Sequence, residues 1–243
     1  MLSVVMPAYN EADIIAANVR DWYVGVVAPL DDAELIVVDD CSRDATGAIL
    51  DDLARECPGL VVVHLPRNVG HGPALRTGLL RARGDWVFHT DSDGQHRVTD
   101  FWSLWERRDA FDFVCGIRSV RADGPVRWVV STGLRLANLG LWQRWVPDAN
   151  CPFKLMRREP MRDALAFTAR DDFAPMTSIE VLARRLGCRV DHVPVPQLPR
   201  RGGSPSLASV RRLARVAWLC AGQQIAVRRR WGRGERLAAD DAG

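Results

Sequence analysis

At 243 residues, with 47% hydrophobic and 26% charged positions, the chain can bury a sizeable core, which excludes intrinsic disorder and favours one α/β domain with extensions. A formal net charge of +3 is too mild for a nucleic-acid binder, although the basic residues are mostly Arg and crowd the second half, where anionic phosphates are suitable partners. Six cysteines without a C-x-x-C pair exclude a zinc knuckle and a disulfide scaffold and read as reduced, intracellular thiols, and no apolar stretch approaches the roughly 18 residues of a membrane span.

Leu2–Met6 and Leu35–Val38 are β-branched-rich apolar runs, each followed by polar turn residues and a helix-like stretch, Ala12–Trp22 and Ala45–Glu56. Leu60–Leu65 and Trp86–His89 repeat the pattern, with Pro73–Ala82 as the helix between them. Strands alternating with helices predict a parallel sheet covered on both faces, with ligands at the carboxyl ends of its strands. A short strand, Phe113–Ile117, then feeds a loop carrying Arg118, Arg121 and Arg127, and Val129–Trp145 reads as a helix. After the polar segment Asp148–Arg158 come a helix around Ser178–Leu186, a strand Arg189–Val195 and a loop Pro199–Ser206. Leu207–Trp231 mixes apolar and Arg positions as an amphipathic helix does, ahead of a frayed end.

The polar residues with chemistry to offer fall just after predicted strand ends. Asp91, Asp93 and Gln95 stand at alternate positions and offer hard oxygen ligands, which suits Mg2+ or Mn2+ held jointly with a phosphate and waters. A metal there could neutralise a leaving diphosphate. Pro7-Ala8-Tyr9-Asn10-Glu11 lets backbone approach a planar base, with Glu11 or Asn10 hydrogen-bonding nearby. Asp39 and Asp40 end the next strand, where one could accept from a base N–H while Ser42 or Asp44 caps the following helix. Asn68-Val69-Gly70-His71-Gly72-Pro73 is a loop whose glycines permit close backbone approach ahead of a helix N-terminus.

The order V-V-M-P-A-Y-N-E, V-V-D-D-C-S-R-D-A-T, N-V-G-H-G-P-A-L-R-T-G and G-D-W-V-F-H-T-D-S-D-G-Q-H resembles family 2 glycosyltransferases of the GT-A fold, within them most nearly the dolichol- or polyprenyl-phosphate sugar synthases. The resemblance spans about residues 2 to 206. It implies a Rossmann-like, mostly parallel sheet flanked by helices, split into a nucleotide-sugar half over 1–112 and an acceptor half with a lid loop over 113–206, followed by the basic amphipathic helix and tail of 207–243. It further implies inverting transfer from a GDP- or UDP-hexose, with Pro7, Tyr9 and Glu11 lining the nucleotide, Asp40 on the base beside Asp39, and Gly70 and Gly72 shaping the pocket. Asp91, Ser92, Asp93 and Gln95 would serve the metal and diphosphate. Arg118, Arg127 and Arg121 would read acceptor or donor phosphates, Asp148 would orient the sugar or acceptor, and Arg200 and Ser204 would close over the diphosphate. The Ser-Lys that commonly follows the lid glycine is here Ser204-Pro205-Ser206.

A phosphate acceptor is already an anionic nucleophile and needs no general base, whereas a hydroxyl acceptor would draw one from Asp148 or Glu180. The resemblance therefore leaves three readings: a polyprenyl-phosphate glycosyltransferase at the membrane periphery, a soluble glycosyltransferase for a small molecule or peptide, and a non-catalytic nucleotide-sugar binder. The expected location is cytoplasmic. Val216–Val227 with Arg228, Arg229 and Arg230 is suited equally to a membrane interface, to the domain itself, or to a second subunit in a homodimer.

Overall fold

The computed structural model describes residues 1–119, 132–133, 136, 139–148, 151–199 and 210–237, the last stretch with side chains from 218 onward. Its strands are β1 (Leu2–Ala8), β2 (Ala33–Asp39), β3 (Leu60–His64), β4 (Trp86–Thr90), β5 (Phe113–Arg118), β6 (Phe153–Arg157) and β7 (Val190–Val195). They form one sheet in the order β3-β2-β1-β4-β6-β5-β7. Every residue of β1 is buried, as a central strand covered on both faces requires. Val4 and Met6 enter one core with Trp22, Phe88, Phe101 and Phe153, while Val5 enters the other with Ile36, Val38, Leu75 and Leu79.

The helices are α1 (Ile15–Trp22), α2 (Thr46–Glu56), α3 (His71–Arg81), α4 (Phe101–Trp105), α5 (Arg158–Leu165), α6 (Pro175–Arg185) and α7 (Val210–Arg233). α1 starts later than its sequence suggests: the Glu11 carbonyl accepts from Ile14 N and Ile15 N in a preceding turn, while the Glu11 and Ala12 amides donate to Thr46 Oγ1 and Asp44 Oδ2. α3 starts two residues earlier, with Pro73 in its first turn, where a missing N–H costs nothing. Within the expected helix Val129–Trp145, residues 132–133, 136 and 139–142 are helical among the described ones. α7 packs on the domain: Gln224 donates to Ser178 Oγ at 2.6 Å and accepts from Trp142 Nε1 at 3.0 Å, and the Trp231 ring meets Phe167. Trp218 and Ile225 on the same helix are exposed. Among the described residues no helix is long and apolar enough to cross a membrane.

The sheet is parallel as expected except at β6, which the sequence reading leaves unassigned and which runs antiparallel between β4 and β5. Lys154 at its centre is 0% exposed. It stands beside His89 of β4 and Cys115 of β5 in the ladder, and Cys115 in turn pairs with His192 of β7. Glu180 of α6 comes down onto this polar row. Its carboxylate takes the Lys154 ammonium on one oxygen and lies 2.9 Å from His192 Nε2 on the other. Burial alone would raise the Glu180 pKa, but Lys154 and His192 hold it down to about 2.

Lys154→Met strands a buried carboxylate, so it should cost about 3–5 kcal/mol in denaturant unfolding at neutral pH, and Lys154→Met with Glu180→Leu should recover most of that loss. Because the Glu180 pKa is depressed in the folded state, its contribution is complete above the ordinary Glu range and lost as pH falls from there toward about 2. The wild type should therefore lose more stability across that window than the double variant.

Candidate active site

The carboxyl ends of β3, β2, β1 and β4 lie side by side, and their loops meet along one edge of the sheet. The loops after β1 and β2 are laced together. Asn10 N donates to Ser42 Oγ at 3.0 Å, and Arg43 N donates to Asn10 Oδ1 at 2.8 Å. Pro7 is a buried member of β1, Tyr9 is exposed on the loop and Glu11 is buried. Asp44 does not cap α2 directly but accepts from Thr46 N and Oγ1 and from Ala12 N. Burial pushes its pKa up, and these donors outweigh that and bring it below the usual range.

The two carboxylates at the end of β2 have different partners. Asp39 Oδ1 accepts from Ser42 N at 3.0 Å, and Oδ2 lies 3.0 Å from His64 Nδ1. His64 Nε2 lies 3.0 Å from Asp51, and the Asp39 and Asp51 contacts raise the His64 pKa. Asp40 Oδ1 accepts from Val69 N at 2.7 Å, while Oδ2 accepts from Gly70 N at 2.8 Å and Asn68 Nδ2 at 3.0 Å. Burial raises its pKa against the pull of those two amides. Asp40 thus binds the loop after β3. Gly70 sits at φ 92° and ψ 162°, a conformation open to glycine alone. A Cβ on Gly72 would lie 2.0 Å from the Asp172 carbonyl oxygen, so the start of α3 rests on that backbone.

His71, the first residue of α3, faces the end of β4. Its Nε2 is 3.8 Å from Asp91 Oδ1, and His89 Nε2 is 3.6 Å from the same oxygen. His89 is 2% exposed, and neither of its ring nitrogens, nor Asp91 Oδ1, has a hydrogen-bond partner among the described residues. Burial would raise the Asp91 pKa, yet His71 and His89 hold it at about 2, so the carboxylate stays ionised. Ser92 is buried, and Asp93 Oδ1 accepts from Gln95 N at 3.1 Å. The Gln95 side chain points toward the segment that follows β7: Nε2 donates to Leu198 O at 3.2 Å and Oε1 accepts from Gln197 Nε2 at 3.3 Å. His96 packs on Phe153, with burial lowering its pKa to about 4.

On the acceptor side, Arg118 ends β5 and grips Asp148 through two bonds of 2.8 Å, Nε to Oδ2 and Nη2 to Oδ1. Both side chains are buried. Arg121, Arg127, Arg200 and Ser204 lie outside the described residues.

Residues 3–165 match the sequence pattern of Glycosyl transferase family 2. The chain belongs to that family. An undecaprenyl-phosphate 4-deoxy-4-formamido-L-arabinose transferase of Edwardsiella ictaluri is 31% identical over 83% of this chain and 61% of its own length. A dolichyl-phosphate beta-glucosyltransferase of Trichomonas vaginalis is 26% identical over 80% of this chain and 64% of its own. The family 2 chain thus spans about three fifths of the length of these curated relatives. Glucosyl-3-phosphoglycerate synthase from Mycobacterium tuberculosis, solved with Mn2+, UDP-glucose and phosphoglyceric acid, aligns over 100% of this chain and 82% of that one with a TM-score of 0.71 and 21% identity, which establishes a shared GT-A-type fold.

Two residues at the edge of this family 2 sheet escaped the sequence reading, His71 and His89. The signal available was His89 two places before Asp91 on a strand, hence on the same face. Asp40 also has a role not read from sequence. Replacing it with Ala leaves two backbone N–H groups without acceptors, which should cost about 1–3 kcal/mol. Hydrogen exchange at Val69 and Gly70 should accelerate in step, and unchanged protection of both amides would refute Asp40 as the loop's anchor.

Proposed function

We propose that this family 2 chain is a metal-dependent, inverting glycosyltransferase that moves a hexose from a GDP- or UDP-linked donor to a polyprenyl-phosphate-type acceptor. The observation that carries the acceptor class is the condition of the two carboxylates that a hydroxyl acceptor would need as base. Asp148 is tied bidentately to Arg118, and Glu180 is fully buried against Lys154 with a pKa near 2. Neither is poised to take a proton near neutral pH. An acceptor phosphate brings its own negative oxygen, so the reaction needs a nucleophile held in line rather than a base. The relatives whose names carry dolichyl and undecaprenyl phosphate support the same class. The neighbour solved with UDP-glucose and phosphoglyceric acid supports a nucleotide-sugar donor and a phosphorylated acceptor.

The residues after β4 fit a divalent cation, because Asp91 presents a buried, ionised oxygen that no hydrogen bond from the described residues occupies. Asp91 and Asp93 would hold the ion. When bound, it supplies positive charge to the departing nucleoside diphosphate. Pro7, Tyr9 and Glu11 would line the nucleotide with Asp39, while Asp40, Gly70 and Gly72 shape the neighbouring loop. Gln95, hydrogen-bonded to Gln197 and Leu198, would couple the acidic loop to the segment leading to Arg200 and Ser204. Arg118, oriented by Asp148, would present the acceptor phosphate together with Arg121 and Arg127, since guanidinium forks bind phosphate bidentately and stay charged when buried. A single displacement from the face opposite the diphosphate inverts the anomeric carbon.

The test is transfer of labelled hexose from GDP- and UDP-sugars to polyprenyl phosphate, unphosphorylated polyprenol and phosphoglycerate, with a divalent cation or EDTA. Product should form with polyprenyl phosphate and stop with EDTA, and Asp93→Ala should lower kcat by on the order of 100-fold while keeping the fold. Transfer to polyprenol at equal rate would reject the phosphate reading, and product on phosphoglycerate alone would move the acceptor to small phosphorylated molecules. Arg118→Lys should raise the acceptor KM with donor affinity unchanged, because an ammonium keeps the charge and loses the fork on Asp148.

A further inference from the structure

We propose that His71, His89 and Asp91 together form a transition-metal site, two imidazole nitrogens and one carboxylate oxygen, so that the ion at the end of β4 belongs to the Co2+, Zn2+ or Mn2+ class and not to the Mg2+ class. The three residues come from separate elements, the first turn of α3, the body of β4 and the loop behind it. Their ligand atoms all lie within 4.8 Å of one another. The two measured separations from Asp91 Oδ1, 3.6 and 3.8 Å, are too long for hydrogen bonds. They suit two atoms sharing an ion, since bonds of about 2.0–2.2 Å place such pairs no more than about 4.4 Å apart.

The alternative, an ordinary core histidine, leaves its ring unaccounted for. His89 is 2% exposed, and both its nitrogens lack a partner among the described residues, whereas buried polar atoms are as a rule hydrogen-bonded or ligating. Asp91 Oδ1 is likewise buried and without a partner among those residues. His71 is half-exposed, so it can rotate the remaining distance and leaves an open side to the ion. Imidazole donors favour later first-row ions over Mg2+, which prefers oxygen and keeps its waters. The site deepens the proposed function, since Asp91 belongs to the donor edge, but its binding of metal requires neither donor nor acceptor.

The experiment titrates the full chain, stripped with EDTA, with Co2+ in the absence of nucleotide and follows the visible d–d bands. One equivalent should bind, be displaced by Zn2+ and resist roughly hundredfold excess Mg2+. His71→Ala, at a half-exposed position that the fold does not need, should weaken Co2+ by at least about tenfold and change the bands while leaving the unfolding midpoint unaltered. Unchanged affinity and bands in His71→Ala, or displacement of Co2+ by equimolar Mg2+, would overturn the proposal. Transfer assays separate the two readings. Loss of the His71 effect with metal-dependent transfer intact removes only the imidazole site. A His71-dependent Co2+ spectrum with no transfer to any phosphorylated acceptor removes only the enzymatic function.

Discussion

The Asp40 carboxylate is the contact on which the donor edge depends. It ends β2, is 3% exposed, and accepts from the Val69 and Gly70 amides and the Asn68 side chain. Charge-assisted bonds of this kind are stronger than neutral ones, and an amide in place of the carboxylate would turn one oxygen acceptor into a donor aimed at another N–H. From Asp40 the consequences run outward. The fixed loop forces Gly70 into a conformation that only glycine adopts, sets Gly72 against the carbonyl of Asp172, and aims His71 at Asp91. A residue that looks like a ligand contact in sequence is thus also the anchor of the next loop's backbone.

The other half is fixed by the insertion of β6. Running antiparallel between β4 and β5, it sets Phe153 opposite Thr90, under the His96 ring, and returns the chain so that Asp148 meets Arg118. The Lys154–Glu180 pair locks that arrangement. A one-residue slip of β6 would turn Lys154 to the opposite face, into the Trp22–Phe88–Phe101 cluster, and leave Glu180 uncompensated. Buried ion pairs contribute little net stability compared with apolar packing, but separating them is expensive. The pair therefore penalises wrong registers more than it stabilises the right one.

Much of the first half was legible because parallel strands covered on both faces are continuous apolar runs, and because such sheets gather polar residues at their carboxyl ends. Leu2–Ala8, Ala33–Asp39 and Trp86–Thr90 follow that logic closely. β6 was not legible, since the lysine in Phe153-Lys154-Leu155 looks like a solvent-facing residue until its partner, 26 positions later, is known. Nor was the imidazole pair, because His71 and His89 meet through the packing of α3 on the sheet and share no motif.

The charge layout of the sheet edge makes its own demand for a cation. Asp39, Asp40, Asp44, Asp91 and Asp93 all stand at the ends of β2 and β4 or in the loops leaving them, the edge to which the proposed function assigns the donor diphosphate. Some of this charge is already engaged: Asp40 and Asp44 are spent on amide and hydroxyl donors, and Asp39 on His64 and Ser42. The Asp91 Oδ1 oxygen has no hydrogen-bond partner among the described residues, and its pKa near 2 keeps it negative throughout the physiological range. Bringing a diphosphate toward an ionised, partly buried carboxylate without an intervening positive charge would be strongly repulsive, since low dielectric strengthens like-charge repulsion as much as attraction. The Arg118 guanidinium is already paired with Asp148. On the proposed function, a diphosphate could approach this edge only once a dication had met the Asp91 carboxylate, so the placement of the carboxylates would set the order of binding.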